Sequence, residues 1–125
     1  MSTLNSSDRA LEIGAVFTPQ KWAEFAIEQF DLFNKWIKGA SIFDPTMGEG
    51  NLLFALISKG VKEGYEQREM PLNQLYGVEL NKNFFEATFK KAKKEYGINL
   101  PLPNYSNEDI FFQKKAPCFD ILFGN

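Results

Sequence analysis

The feature that most constrains the fold is a short apolar segment that runs straight into a glycine-rich turn. Residues 41–43 (Ser-Ile-Phe) have the length and composition of a buried strand, and residues 44–50 (Asp-Pro-Thr-Met-Gly-Glu-Gly) follow directly. After the turn, apolar residues recur at helical spacing, at Leu52, Leu53, Leu56 and Ile57. This order of strand, glycine-rich turn and helix is typical of the first unit of an open α/β sheet.

The segment before this unit has the pattern of one amphipathic helix. The spacing predicts a helix over residues 20–37, with Thr18 as N-cap, Pro19 in the first turn and Gly39 after its end. Its predicted apolar face consists of Trp22, Ala26, Phe30, Phe33 and Ile37.

Three further strands are predicted. Residues 75–80 form the second, and Asn81 can cap a following helix whose apolar face is Phe85, Phe89 and Ala92. A third strand at residues 104–106 is weakly indicated, and a fourth at residues 119–123 is clear. Alternating strands and helices predict an α/β fold, a parallel doubly wound sheet with flanking helices.

Composition fits one domain that spans residues 1–125. The chain is 44% hydrophobic and 24% charged, which is ordinary for a globular protein. It has no histidine and one cysteine, Cys118, which excludes a Cys/His zinc site, and we expect no metal. A net charge of -2 gives no general attraction to nucleic acid. Without a signal peptide or an apolar span in the sequence, we expect a cytoplasmic protein that binds no membrane.

Polar residues cluster after the predicted strands, where ligands bind in such sheets. Asp44, Gly48 and Gly50 follow the first strand and Glu79 closes the second, while Asp109 and Asn125 follow the third and fourth. Their side chains are therefore predicted to converge on one cleft.

The pattern disfavours a nicotinamide dinucleotide site. Leu53 stands where the third glycine would be required, and Glu79 follows Gly50 by 79 − 50 = 29 residues, against about 20 in the dinucleotide fingerprint. A carboxylate at Glu79 can accept both hydroxyls of a ribose. The acidic residues at this edge predict a positive or neutral ligand such as a sulfonium cation; they are Asp44, Glu49, Glu79 and Asp109.

Five segments, in order, resemble the motifs of adenine-specific DNA methyltransferases of restriction-modification systems. They are residues 14–19, 44–51, 77–80, 107–110 and 120–125. The resemblance implies a Rossmann-like, S-adenosylmethionine-dependent methyltransferase fold. It also implies an N-terminal helical segment with the Phe-Thr-Pro motif over residues 1–38, and the cofactor-binding half of the sheet over residues 39–125.

The resemblance further implies how the cofactor, S-adenosyl-L-methionine, is held. Phe17, Thr18 and Pro19 would hold its methionine end. The turn would surround the amino-acid part, with Asp44, Pro45, Thr46, Gly48 and Gly50. Glu79 would bind the ribose, and Leu80, the next residue, would also contact the cofactor. Asp109 would accept a hydrogen bond from the adenine amino group, and Ile110 would pack on the ring.

Asn125 resembles the first, catalytic residue of the family's Asn-Pro-Pro-aromatic motif, which holds the target amino group and stacks on the flipped base. Because the sequence stops there, we expect a sheet truncated after the fourth strand and no transfer activity from this chain alone. DNA would be contacted through a missing C-terminal recognition domain. The exposed fourth strand would support a homodimer.

Other interpretations remain at this point. An RNA or protein-glutamine methyltransferase would use the same Asn-Pro-Pro-aromatic motif, although the Phe-Thr-Pro segment favours DNA. A binding-only remnant would hold the cofactor, or nothing, without catalysis. Phe17 is also compatible with the core. The lysines after the second strand are interpreted as a solvated helix face rather than a DNA patch; they are Lys82, Lys90, Lys91, Lys93 and Lys94.

Overall fold

The computed structural model describes residues 19–108 and 120–122. Within them, four α-helices are α1 (Pro19–Gln29), α2 (Leu32–Ile37), α3 (Asn51–Lys62) and α4 (Lys82–Tyr96). Four strands are β1 (Ile42–Asp44), β2 (Leu75–Val78), β3 (Tyr105–Ser106) and β4 (Ile121–Leu122). Short 3-10 turns at Gln67–Glu69, Leu72–Gln74 and Leu102–Asn104 lead into β2 and β3.

The strands form a parallel sheet, as predicted. Their order is β3-β2-β1-β4, and Ile42 pairs with Leu75 on one side and Ile121 on the other. Helix α3 connects β1 to β2 and α4 connects β2 to β3, so two of the three parallel pairs are joined by a helical crossover. The α/β prediction is therefore confirmed, the first three strands lie where they were predicted, and the described part of the fourth is Ile121–Leu122.

The predicted single helix over residues 20–37 is wrong. It is divided into α1 and α2 at Asp31, whose φ of 52° lies in the left-handed region. The Asp31 carboxylate accepts a hydrogen bond from the side-chain amide of Asn34 at 2.7 Å. Two predicted core residues are exposed, Trp22 at 41% and Phe30 at 60%.

The buried face of these helices instead includes Ala23, Ile27, Leu32 and Trp36, besides the predicted Ala26 and Phe33. Trp36 is fully buried, and its indole N–H donates to the Pro71 carbonyl at 2.8 Å. This bond satisfies the polar atom of a large core side chain.

Helices α1, α3 and α4 form one layer against the sheet. Helix α1 packs along α3, and the rings of Phe54 on α3 and Tyr96 on α4 stack with centroids 5.4 Å apart. The lysines of α4 face solvent as predicted, apart from half-buried Lys91, whose ammonium lies 5.0 Å from the Phe54 ring centroid.

None of the described helices has both the length and the apolar composition needed to span a bilayer.

Candidate functional site

The candidate site lies where β1 and β2 end. Asp44 is the last residue of β1 and pairs in register with Gly77, while Glu79 directly follows β2. Parallel strands end at the same edge of a sheet, so the two acidic residues come from neighbouring positions. We call residues 45–50, between Asp44 and α3, the glycine loop.

The Glu79 carboxylate ties the glycine loop to the end of β2. Its Oε1 atom accepts a hydrogen bond from the Gly48 N–H at 2.8 Å, and its Oε2 atom accepts one from the Asn81 N–H at 2.9 Å. A carboxylate oxygen can accept more than one hydrogen bond, so each oxygen retains capacity for a ligand hydroxyl. The site predicted for the ribose is therefore already oriented by two backbone bonds.

Gly50 ends the glycine loop in a conformation that favours glycine. Its φ is 88°, and a Cβ atom there would lie 2.7 Å from a ring carbon of Phe54 and 3.0 Å from Cγ2 of Thr88. Gly48 also has a positive φ, 60°, but nothing lies within 4 Å of a Cβ placed on it. Gly50 is thus required for close packing, whereas Gly48 borders open space that a ligand can enter.

Asp44 is a half-buried carboxylate with an altered acidity. Burial raises its pKa from 3.8 to about 6, and the negative charge of Glu79 adds to this, while hydrogen bonds from Thr46 oppose it. Asp44 Oδ1 accepts from the Thr46 N–H at 3.0 Å and from its hydroxyl at 3.5 Å. The site concentrates negative charge, so a positive group bound there would be stabilised.

Met47 is part of the loop that sequence reasoning left unassigned. Its side chain is buried, and its sulfur would lie 2.5 Å from a Cβ placed on Gly77. The Met47 N–H donates to the Val78 carbonyl at 3.0 Å. The glycine in β2 is therefore needed for the loop to pack on the strand.

Thr88 on α4 is the second residue that sequence reasoning missed. It is fully buried and its hydroxyl lies 3.3 Å from the Gly48 carbonyl oxygen. The sequence signal that could have identified Thr88 is its position on the predicted apolar face of the helix, three residues after Phe85 and four before Ala92. Asn81 was expected as the cap of this helix, and the Phe84 N–H donates to its side chain at 3.1 Å, which confirms that prediction.

The structure brings together the predicted residues of the first two strand ends. These are Asp44, Pro45, Thr46, Gly48, Gly50 and Glu79. Leu80 beside them is 58% exposed, and Pro19 begins α1. Five other predicted site residues, Phe17, Thr18, Asp109, Ile110 and Asn125, lie outside the described residues.

A groove of about 410 Å³ lies elsewhere, between α1, α3 and α4. Its lining includes Gln20, Asn51, Phe54 and Tyr96, but none of the residues that surround Asp44 and Glu79. Lysines and glutamates both line it, at Lys59, Lys62, Lys91, Glu24, Glu28 and Glu95. This groove borders the start of α3, and neither Asp44 nor Glu79 lines it.

A parallel sheet with a glycine-rich turn after β1 and an acidic residue after β2 is an arrangement typical of α/β proteins that bind nucleotides. The chain belongs to the N-6 DNA methylase family, whose model matches residues 3–93. The match includes the Phe-Thr-Pro segment, the glycine loop and Glu79, and it confirms the resemblance described above. No curated protein gives a significant match.

Proposed function

We propose that the protein binds S-adenosylmethionine at the ends of β1 and β2 and transfers its methyl group to the N6 atom of adenine in DNA. The observation that carries this proposal is the 2.8 Å hydrogen bond from the Gly48 N–H to the Glu79 carboxylate. It unites the glycine-rich and acidic motifs in one site. Membership of the N-6 DNA methylase family supports DNA as the substrate.

The residues present fit this cofactor. Asp44 and Glu79 supply negative charge, and the space beside Gly48 is open. When bound, S-adenosylmethionine supplies a methyl group on a positively charged sulfur, which makes that methyl group electrophilic. A negative site favours this cation over an anionic dinucleotide.

Glu79 would select the ribose. Its backbone bonds to Gly48 and Asn81 fix the carboxylate plane, so the remaining lone pairs point in set directions. Two adjacent hydroxyls can donate to these oxygens, whereas a phosphorylated ribose would be repelled. Glu79 therefore distinguishes a diol from a phosphate by charge as well as by hydrogen bonding.

Asp44 would act through its charge. With a pKa of about 6, it is mostly ionised at neutral pH and can attract the positive groups of the cofactor. Its Thr46 bonds hold one oxygen against the loop. Asp44 would help to hold the amino-acid part of the cofactor.

The acceptor side of the reaction rests on the family resemblance. Asn125 would accept a hydrogen bond from the target amino group, and Asp109 would contact the cofactor's adenine with Ile110 packed on the ring. Phe17 and Thr18 would close the methionine end. The order of the motifs supports a restriction-modification enzyme with its DNA-recognition domain placed after them.

Calorimetry with Glu79→Ala tests cofactor binding. Loss of a charge-assisted contact should weaken affinity by roughly 1.5 to 3 kcal/mol, or about 10- to 150-fold. Glu86→Ala is the matched control, because Glu86 is an exposed glutamate on α4. Equal affinity in Glu79→Ala and wild type would remove Glu79 from the site.

A labelled-methyl transfer assay tests the substrate. It uses a form of the protein that contains the complete Asn-Pro-Pro-aromatic motif. Mixed-sequence DNA, RNA and a glutamine-containing peptide are offered in parallel. We expect label in DNA, recovered as N6-methyladenine after hydrolysis to nucleosides. Label confined to RNA or peptide would overturn the DNA assignment, and cofactor binding without any transfer would favour a binding-only module.

A further inference from the structure

Thr88 joins helix α4 to the glycine loop. Its hydroxyl lies 3.3 Å from the Gly48 carbonyl oxygen and 3.1 Å from the Phe84 carbonyl oxygen. Among the described residues, Thr88 and Ser41 are the polar residues that are buried. A hydroxyl is seldom buried without a partner that requires it, because its desolvation must be offset by hydrogen bonds.

The Gly48 residue is held at both of its backbone polar groups. Its N–H donates to Glu79, and its carbonyl oxygen lies 3.3 Å from the Thr88 hydroxyl, whose single hydrogen it shares with the Phe84 carbonyl. Both partners belong to the unit of β2 and α4, which follows the loop in sequence. Residues from the second unit therefore determine how the loop from the first unit is oriented.

Thr88 also contacts the loop sterically. Its Cγ2 atom lies 3.0 Å from the position of a Cβ on Gly50, so its methyl group occupies the space beside that glycine. The hydroxyl and the methyl group thus contact two different residues of the glycine loop. A serine would retain the first contact, and a valine would retain the second.

A local role for Thr88 makes a different prediction. Threonine hydroxyls in helices commonly bond the carbonyl four residues earlier, as Thr88 does with Phe84. That bond alone would contribute to the helix and would not depend on the loop. It also does not explain why the hydroxyl faces the Gly48 carbonyl within hydrogen-bond distance.

We propose that Thr88 is a positioning residue for the cofactor site. Its hydroxyl fixes the carbonyl of Gly48 and thereby keeps the Gly48 N–H directed at Glu79, which holds the carboxylate in place for the ribose. Thr88 acts through Gly48 and Glu79 and does not touch the cofactor. This role rests on the proposed function, because it concerns the affinity of the same site.

Two variants of Thr88 separate positioning from simple packing. Thr88→Val retains the branched shape and loses the hydroxyl, whereas Thr88→Ser retains the hydroxyl and loses a buried methyl group. We expect Thr88→Val to bind S-adenosylhomocysteine about three- to tenfold more weakly than wild type, as for one lost hydrogen bond, and Thr88→Ser to bind nearly as well. A packing role predicts the reverse order, with the serine variant more impaired because it leaves a cavity.

Amide hydrogen exchange in the ligand-free protein provides a second readout. We expect the Gly48 amide to exchange faster in Thr88→Val than in Thr88→Ser, because its orientation is no longer fixed. Equal exchange and equal affinity in Thr88→Val and wild type would overturn the positioning role. If the wild type itself does not bind S-adenosylhomocysteine, the proposed function fails, while the exchange result still decides whether Thr88 orients Gly48.

Discussion

Ser41 and Asp120 exchange hydrogen bonds in both directions where β1 and β4 begin. The Ser41 N–H donates to Asp120 Oδ2 at 2.9 Å, and the Ser41 hydroxyl donates to the same oxygen at 3.2 Å. In return, the Asp120 N–H donates to the Ser41 hydroxyl oxygen at 2.9 Å. Together with the bond from the Ile121 N–H to the Ser41 carbonyl, they fix the register of the two strands.

Removing either side chain of this pair should destabilise the protein. We expect Ser41→Ala and Asp120→Ala each to lower the free energy of unfolding by about 1 to 2 kcal/mol, because Asp120→Ala removes the acceptor of the buried Ser41 N–H and hydroxyl, and Ser41→Ala removes both bonds of that hydroxyl. The double variant should lose less than the sum of the two. Urea denaturation measures all three, and strict additivity would show that the two side chains act separately.

Asp44 predicts a pH dependence of stability. Its pKa is raised to about 6 in the folded protein, so the folded state holds the proton more tightly than the unfolded chain does. The carboxyl group therefore destabilises the fold above pH 6, and this loss disappears as the pH falls toward 4.

Asp44→Asn should remove this pH-dependent loss of stability, because asparagine does not ionise. Its amide oxygen can still accept the hydrogen bonds from Thr46. We expect the variant to be more stable than wild type at pH 8 by up to roughly 3 kcal/mol and equal to it near pH 4. It should also bind S-adenosylmethionine more weakly, with a smaller effect on the neutral thioether S-adenosylhomocysteine. Denaturation at pH 4, 6 and 8 checks the first point, and the same stability difference at all three values would contradict it.

Gly50 and Gly97 form a matched pair for substitution. Both have a positive φ, 88° and 66°, but only a Cβ on Gly50 would collide with neighbouring side chains. Gly97→Ala should cost about 1 to 2 kcal/mol from backbone strain alone. Gly50→Ala should cost at least about 1 kcal/mol more, because Phe54 and Thr88 must also move. Thermal unfolding of the two variants gives the comparison, and equal losses would mean that the loop adjusts freely.

We also expect self-association through β4. In the described sheet β4 stands at one end of the order and pairs with β1, and strand edges favour pairing with another chain. A homodimer should appear in size exclusion with light scattering, in a proportion that rises with concentration. A monomeric mass at every concentration would show that this edge is covered.

Much of the fold and part of the site follow from sequence pattern. The strand ends, the glycine loop and Glu79 were predicted because short apolar runs and glycines are local signals. The break at Asp31 was not predicted, because no proline or glycine marks it. A left-handed conformation at a residue other than glycine depends on the surrounding structure. Thr88 was missed because its partner is distant in sequence. The roles of Phe17, Thr18, Asp109, Ile110 and Asn125 stay predictions.

The two bonds to Gly48 also set an order of events during synthesis. Glu79 follows Gly48 by 31 residues and Thr88 follows it by 40, and the ribosome adds them later. A nascent chain that has emerged only as far as α3 holds the glycines but neither group that orients them. We therefore expect the loop to make these two bonds only after residues 79–88 have left the exit tunnel.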